Sequence, residues 1–162
     1  MAFLPLAIIP DSAHNPPMHL NDEKLMPRLA GALSPVSAVP AAEPADALRH
    51  FERLLSFETD CWDVHESLKG GQCDFVLLDV RGPQSFHSGH VPGAANLPHG
   101  RINDRNLSAY PADALFVVYC DGPHCNGADR AAAKLARLGR KVKKMIGGIE
   151  GWKDESFDLA TA

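Results

Sequence analysis

The chain has 162 residues, 45% of them hydrophobic, and a formal net charge of −4. That length suits one domain with a real core. The acidic balance gives no electrostatic basis for binding nucleic acid or an anionic membrane, and no apolar run approaches the roughly 20 residues that span a bilayer. Four cysteines are too few for a disulfide framework at this size, which points to reduced thiols and a cytoplasmic protein.

Residues 1–44 hold eight of the thirteen prolines, a density that breaks helices and sheet ladders alike. They are expected to form a poorly ordered extension, with the apolar piece Phe3 to Ile9 free to dock. The opening MAFLPLAIIP lacks a preceding Lys or Arg and makes a poor signal peptide. Order is expected to begin near Pro44. There Ala47, Leu48, Phe51, Leu54 and Leu55 trace an amphipathic helix. Phe57 to Thr59 suits a short strand. Asp60 then caps a second helix that turns Val64 and Leu68 inward and stops at Gly70-Gly71, with Cys61 and Trp62 as packing residues at its start.

Phe75 to Leu78 is the next buried strand, with Asp79-Val80-Arg81 at its carboxyl end. Pro83 opens a short helix through Phe86, and Gly89 to Gly93 is a turn-rich connection containing His90. Ala94 to Leu97 reads as a third strand. Pro98 to Pro111 is expected to be irregular, with Arg101, Asp104 and Arg105 exposed. Leu115 to Tyr119 is a continuous apolar run of the kind buried on both faces of a parallel sheet. The helix after it places Ala128, Ala131, Ala132, Leu135 and Leu138 on one face and ends at Gly139. Val142 to Ile146 makes a last strand, and Gly147-Gly148 turns into a helix carrying Ile149 and Trp152. Strands alternating with helices argue for an α/β fold with a parallel sheet covered on both faces.

Between the fourth strand and its helix lies CDGPHCNG. A strand entering a helix through a glycine-bearing loop leaves backbone N–H groups unpaired at the helix start, and these favour an anion. A thiol there has its thiolate stabilised, and open parallel sheets place their sites at this end. Cys120 is therefore the candidate nucleophile.

The series LLDVRGPQSFHSGHVPGAANLP, VVYC, a glycine-bearing loop, a helix and IGGIEGW resembles the single-domain rhodanese family over about Phe57 to Glu155. The resemblance implies a rhodanese-like α/β domain over residues 45–155, with a five-stranded, mainly parallel sheet and helices on both faces. Residues 156–162 follow as a short C-terminal tail. It implies a sulfurtransferase in which Cys120 takes sulfane sulfur from a small-molecule or protein donor such as thiosulfate, becomes a persulfide, and passes the sulfur to cyanide or a thiol acceptor. The implied substrate loop comprises Asp121, Gly122, Pro123, His124, Cys125, Asn126 and Gly127, with Arg130 facing the anion. No metal or organic cofactor is required. The persulfide is anionic, so backbone N–H groups from Asp121 to Gly127 are its expected cradle.

Three features depart from the family pattern. The loop runs about two residues longer than the common form. Asp121 stands where many thiosulfate-using members carry a cation, so a dianionic donor needs compensation from His124 or Arg130. Cys125 is an extra thiol, able to resolve a persulfide or form a disulfide. Phosphatases and arsenate reductases of this fold need an arginine six residues after the cysteine, where this chain has Asn126. Asp79, Arg81 and His90 read as scaffold. Two other classes remain open: a non-catalytic rhodanese-like binding or regulatory module, and a thiol redox or metal site using Cys120, His124 and Cys125.

Overall fold

The computed structural model describes residues 33–71 and 73–161. The expectation of poor order over residues 1–44 thus falls, for 1–32, outside the described residues. The chain divides after Ala41. Residues 33–41 carry a turn in which the amides of Ser37 and Ala38 donate to the Ser34 carbonyl at 3.0 and 2.9 Å.

From Ala42 onward the fold is α/β, as expected. Helix α1 (Pro44–Phe57) is followed by β1 (Glu58–Thr59), α2 (Cys61–Lys69), β2 (Phe75–Asp79) and α3 (Pro83–Ser88). Then come β3 (Ala95–Asn96), α4 (Asp104–Leu107), β4 (Leu115–Tyr119), α5 (Gly127–Arg137), β5 (Lys141–Met145) and α6 (Gly148–Asp154). The five strands lie in the order β1-β5-β4-β2-β3, and every pair is parallel. β4 sits at the centre, paired along its length with β2, Leu78 beside Val118 and Asp79 beside Tyr119.

Side chains alternate across a strand, so β4 serves two cores. Phe116, Val118 and then Cys120 face the α5 side, where they meet Leu78, Ala128, Ala131 and Leu135. Val117 and Tyr119 face the other side with Val64, Met145, Ile149 and Trp152. The parity of β4 thereby delivers Cys120 to the start of α5. The local signals behave as expected. Asp60 caps α2 by accepting from the Asp63 amide at 2.8 Å, and Gly139 leaves α5 at φ +72°.

One expectation is corrected and two are refined. The stretch from Pro98 to Pro111 is not irregular throughout: a 3-10 turn (His99–Arg101) leads into α4, which Asn103 caps by accepting from the Asn106 amide. Ile102 and Leu107 are core residues there, while Arg101, Asp104 and Arg105 are exposed. Trp62 is not a packing residue of the core. It is 56% exposed, its ring 6.0 Å from that of Phe157, whereas Cys61 is buried. Helix α1 forms as the amphipathic pattern expects, though none of its residues is buried. Beyond α6, His90 and Ala160 exchange backbone hydrogen bonds of 2.9 Å, fixing residues near the C-terminus to the His90 turn.

Candidate active site at the carboxyl end of the sheet

Cys120 follows the last residue of β4 and is 6% exposed. The loop after it is pinned from behind by α6, whose first amides donate to it: Ile149 to the Cys120 carbonyl and Glu150 to the Asp121 carbonyl, both at 2.9 Å. Gly147 and Gly148 make this possible. Their φ values are +80° and +61°, and a Cβ on Gly148 would lie 2.5 Å from the Cys120 carbonyl oxygen. Inside the loop, the Cys125 amide donates to the Gly122 carbonyl at 3.0 Å, which curls Cys125 back over Cys120.

The two sulfurs meet, Sγ to Sγ, at 2.7 Å. Gly127 is the reason they fit. A Cβ there would stand 2.6 Å from Cys120 Sγ and 3.4 Å from Cys125 Sγ. Burial, followed by the hydrogen bond with Cys125, pushes the Cys120 thiol up to about 12. Cys125 moves the opposite way, below its ordinary value, chiefly through the hydrogen bond from Cys120 with help from the Gly127 and Asp121 amides. Of the two thiols, Cys125 is the one whose ionisation the surroundings favour. Cys120 is the deeper of the two sulfurs; the Asp121 amide reaches both, and the Gly127 amide reaches Cys125.

A cavity of about 340 Å³ opens beside the pair. Of the expected loop residues, Cys120, Gly122, Pro123 and Cys125 line it. Its far wall was not foreseen in the sequence. Asp129 stands there with Lys144, whose Nζ is 3.0 Å from both Asp129 and Glu58. Burial opposes the Lys144 charge, but Asp129 and Glu58 outweigh it and raise its pKa. Lys144 follows from β5 pairing with β1, a long-range register that a run of three lysines does not reveal.

The remaining expected site residues lie elsewhere. His124, Asn126 and Arg130 are exposed and do not line the cavity. Asp121 is exposed, with its carboxylate 3.9 Å from Cys120 Sγ and 3.7 Å from Arg81 Nη1. Neither His124 nor Arg130 supplies the expected compensation. The cation nearest Asp121 is Arg81, which is already bound to Asp79. Among the described residues, the potential metal donors that converge are Cys120, Asp121 and Cys125, within 4.8 Å of one another, and His124 is not among them. Three donors fall one short of a closed tetrahedral zinc site. As expected, Asp79, Arg81 and His90 are buried and tie the neighbouring strand end, with His90 Nδ1 2.9 Å from the Phe86 carbonyl.

The sequence and fold have known counterparts. The chain is 38% identical over 88 residues to the thiosulfate sulfurtransferase GlpE of Ectopseudomonas mendocina, covering 54% of this chain and 77% of that one. It is 35% identical over 80 residues to the HTH-type transcriptional regulator Rv0324 of Mycobacterium tuberculosis, covering 49% of this chain and 35% of the regulator. The match thus spans about a third of the regulator's length and about three quarters of that of GlpE. Among solved structures, the BH2092 protein from Bacillus halodurans superposes with a TM-score of 0.71 at 38% identity, over 74% of this chain and 87% of that one. The rhodanese-like domain of the Anabaena Alr3790 protein does so at 0.59 and 25%, over 65% and 79%. No helix among the described residues is long and apolar enough to cross a membrane. A family model for the rhodanese-like domain matches residues 63–155, and the chain belongs to that family.

Proposed function

We propose that this protein is a sulfurtransferase in which Cys120 attacks the sulfane sulfur of a donor, carries it as a persulfide, and yields it to a thiol acceptor or cyanide. The observation that carries the reading is the position of Cys120 at the carboxyl end of the central strand, lining a cavity large enough for a small sulfur donor. Likeness to GlpE supports thiosulfate as one donor. The chemistry divides one transfer into two displacements at sulfur, as covalent catalysis does generally. Cys125, in contact with Cys120 Sγ and the thiol of the pair whose ionisation is favoured, takes the Cys120 proton as the donor approaches. The Asp121 carboxylate stands 3.9 Å from Cys120 Sγ, and Asp129 lines the cavity with its charge partly met by Lys144. They disfavour a dianion relative to a persulfide of lower charge, so thiosulfate is expected to be the slower donor. The reactants are small thiols and their oxidised sulfur donors, as a reducing cytoplasmic setting provides.

The test is Cys120→Ser, which should abolish both turnover and the sulfur adduct of about 32 Da seen in intact mass. Undiminished turnover in that variant would sink the assignment. A second reading, a rhodanese-like module without turnover, is favoured by the likeness to Rv0324. It predicts that the wild-type protein gains no adduct from either thiosulfate or a small persulfide.

A further inference from the structure

We infer, on the basis of the sulfurtransfer proposed above, that Cys125 discharges the Cys120 persulfide internally, expelling its sulfur as hydrosulfide and leaving a Cys120–Cys125 disulfide. The protein would then convert sulfane sulfur to sulfide at the expense of a dithiol. Three independent features of the loop lead to this conclusion.

The first is contact. Cys125 Sγ lies 2.7 Å from Cys120 Sγ, which becomes the inner sulfur of the persulfide, so the atom within reach is the one whose attack expels the outer sulfur. The five-residue separation and the Gly127 void allow that contact to close into a bond. The second is charge. A stored persulfide is an anion, yet the Asp121 carboxylate stands 3.9 Å from Cys120 Sγ, with its one nearby cation shared with buried Asp79. The α6 amides closest to the loop already donate to the Cys120 and Asp121 carbonyls and are not free to hold such an anion. The Asp121 amide favours a charge on Cys120 Sγ while the carboxylate of the same residue opposes it, so a persulfide there gains only part of its expected cradle. The third is access. Cys120 is buried while Cys125 is half-buried, so the internal thiol reaches the loaded sulfur more readily than an acceptor from solution.

The atoms and electrons balance without another reactant until the final reset. Loading with thiosulfate breaks its S–S bond and releases sulfite; the Cys120 proton passes to Cys125, and Cys120 is left as a persulfide anion. In the second step the Cys125 sulfur bonds to Cys120 Sγ and the Cys120–sulfane bond breaks. The electron pair leaves with the sulfane sulfur, which takes the Cys125 proton and departs as HS⁻. Two cysteine thiols are oxidised to a disulfide, and one sulfane sulfur is reduced to sulfide. Regeneration needs a thiol or dithiol reductant that exchanges with the disulfide.

The experiment uses the reduced full chain, freed of thiols, incubated separately with thiosulfate and with a small-molecule persulfide. Released sulfide and intact mass are followed in the wild type, Cys125→Ala, Cys125→Ser and Cys120→Ser. In the wild type we expect about one equivalent of sulfide per chain and a protein about 2 Da lighter than the dithiol. Both Cys125 variants lack the group that takes the Cys120 proton and should load more slowly, but once loaded they should hold the adduct of about 32 Da and release no sulfide. Cys120→Ser should show neither. A wild type that retains the adduct as long as the Cys125 variants, without sulfide, overturns internal discharge while leaving sulfurtransfer standing. The adduct mapped to Cys125 in the wild type overturns it too, since the sulfur would then be relayed rather than expelled. Absence of any adduct or sulfide from every protein with both donors refutes sulfurtransfer itself, and the discharge with it.

Discussion

Strands β2 and β4 run side by side and end at the same level, yet their carboxyl ends are built in opposite ways. At the end of β2, Asp79 is fully buried and Arg81 nearly so. The guanidinium donates to both carboxylate oxygens, Nη2 at 2.6 Å from Oδ2 and Nε at 3.0 Å from Oδ1, and to the Gly89 carbonyl at 2.7 Å. Burial opposes the Arg81 charge, and the Asp79 hydrogen bond outweighs it, so Arg81 keeps its charge. At the end of β4 the sulfurs have each other and a carboxylate, with no cation devoted to them. One end is electrically complete and therefore inert; the other sets two thiols against each other beside a carboxylate. Adjacent positions in one sheet thus divide into scaffold and reagent according to whether their buried charge is satisfied locally.

That contrast can be broken most forcefully at the β2 end. Arg81→Ala leaves Asp79 buried without its partner and is expected to cost about 3–5 kcal/mol, read as a shift in the urea midpoint. A change below 1 kcal/mol would mean that water replaces the guanidinium and that the end is not closed. The β4 end should respond in chemistry more than in stability. Gly127→Ala drives a methyl group into Cys120 Sγ, with an expected cost of about 1–3 kcal/mol and a loss of sulfur loading of at least about tenfold. Loading at the wild-type rate would show that the sulfurs do not need this approach. The mildest test separates the two thiols by pH. In the reduced wild type near pH 8, iodoacetamide should modify Cys125 first and Cys120 about tenfold more slowly or less. Lowering the pH through the depressed Cys125 value should slow the first reaction, while Cys120 should stay slow until the pH nears 12. Peptide mapping with Cys120 modified first would reverse the assignment of charge within the pair.

Much of this contrast is legible in the sequence, because its parts are local. Asp79 and Arg81 are two residues apart, Cys120 follows an unbroken apolar strand, and Asp60 and Gly139 mark helix ends through their own backbone chemistry. What escapes the sequence is set at long range. Lys144 reaches the cavity because β5 pairs with β4, beside Val118, and with β1, beside Glu58, and Leu48, Phe51 and Leu55 lie exposed on α1. The division of charge between Cys120 and Cys125 depends on which sulfur lies deeper, and spacing alone does not say. The cap of α4 is a different case. Asn103 sits three residues before the Asn106 amide it accepts from, a pattern visible in the chain but obscured by the absence of any long apolar period around it.

The amides of Ile149 and Glu150 that pin the reactive loop come from the element made last before the C-terminal segment. During synthesis β2, β3, β4 and α5 emerge together and can pair with one another, whereas β1 must wait for β5 before it has any neighbour. Such sequence-distant closures are the slow part of folding. The loop holding Cys120 and Cys125 therefore remains without its backing while much of the sheet is already assembled. In that interval nothing yet holds the Cys120 and Asp121 carbonyls in place. Chemical competence arrives at the end of folding, when the Gly147-Gly148 turn swings α6 onto the loop.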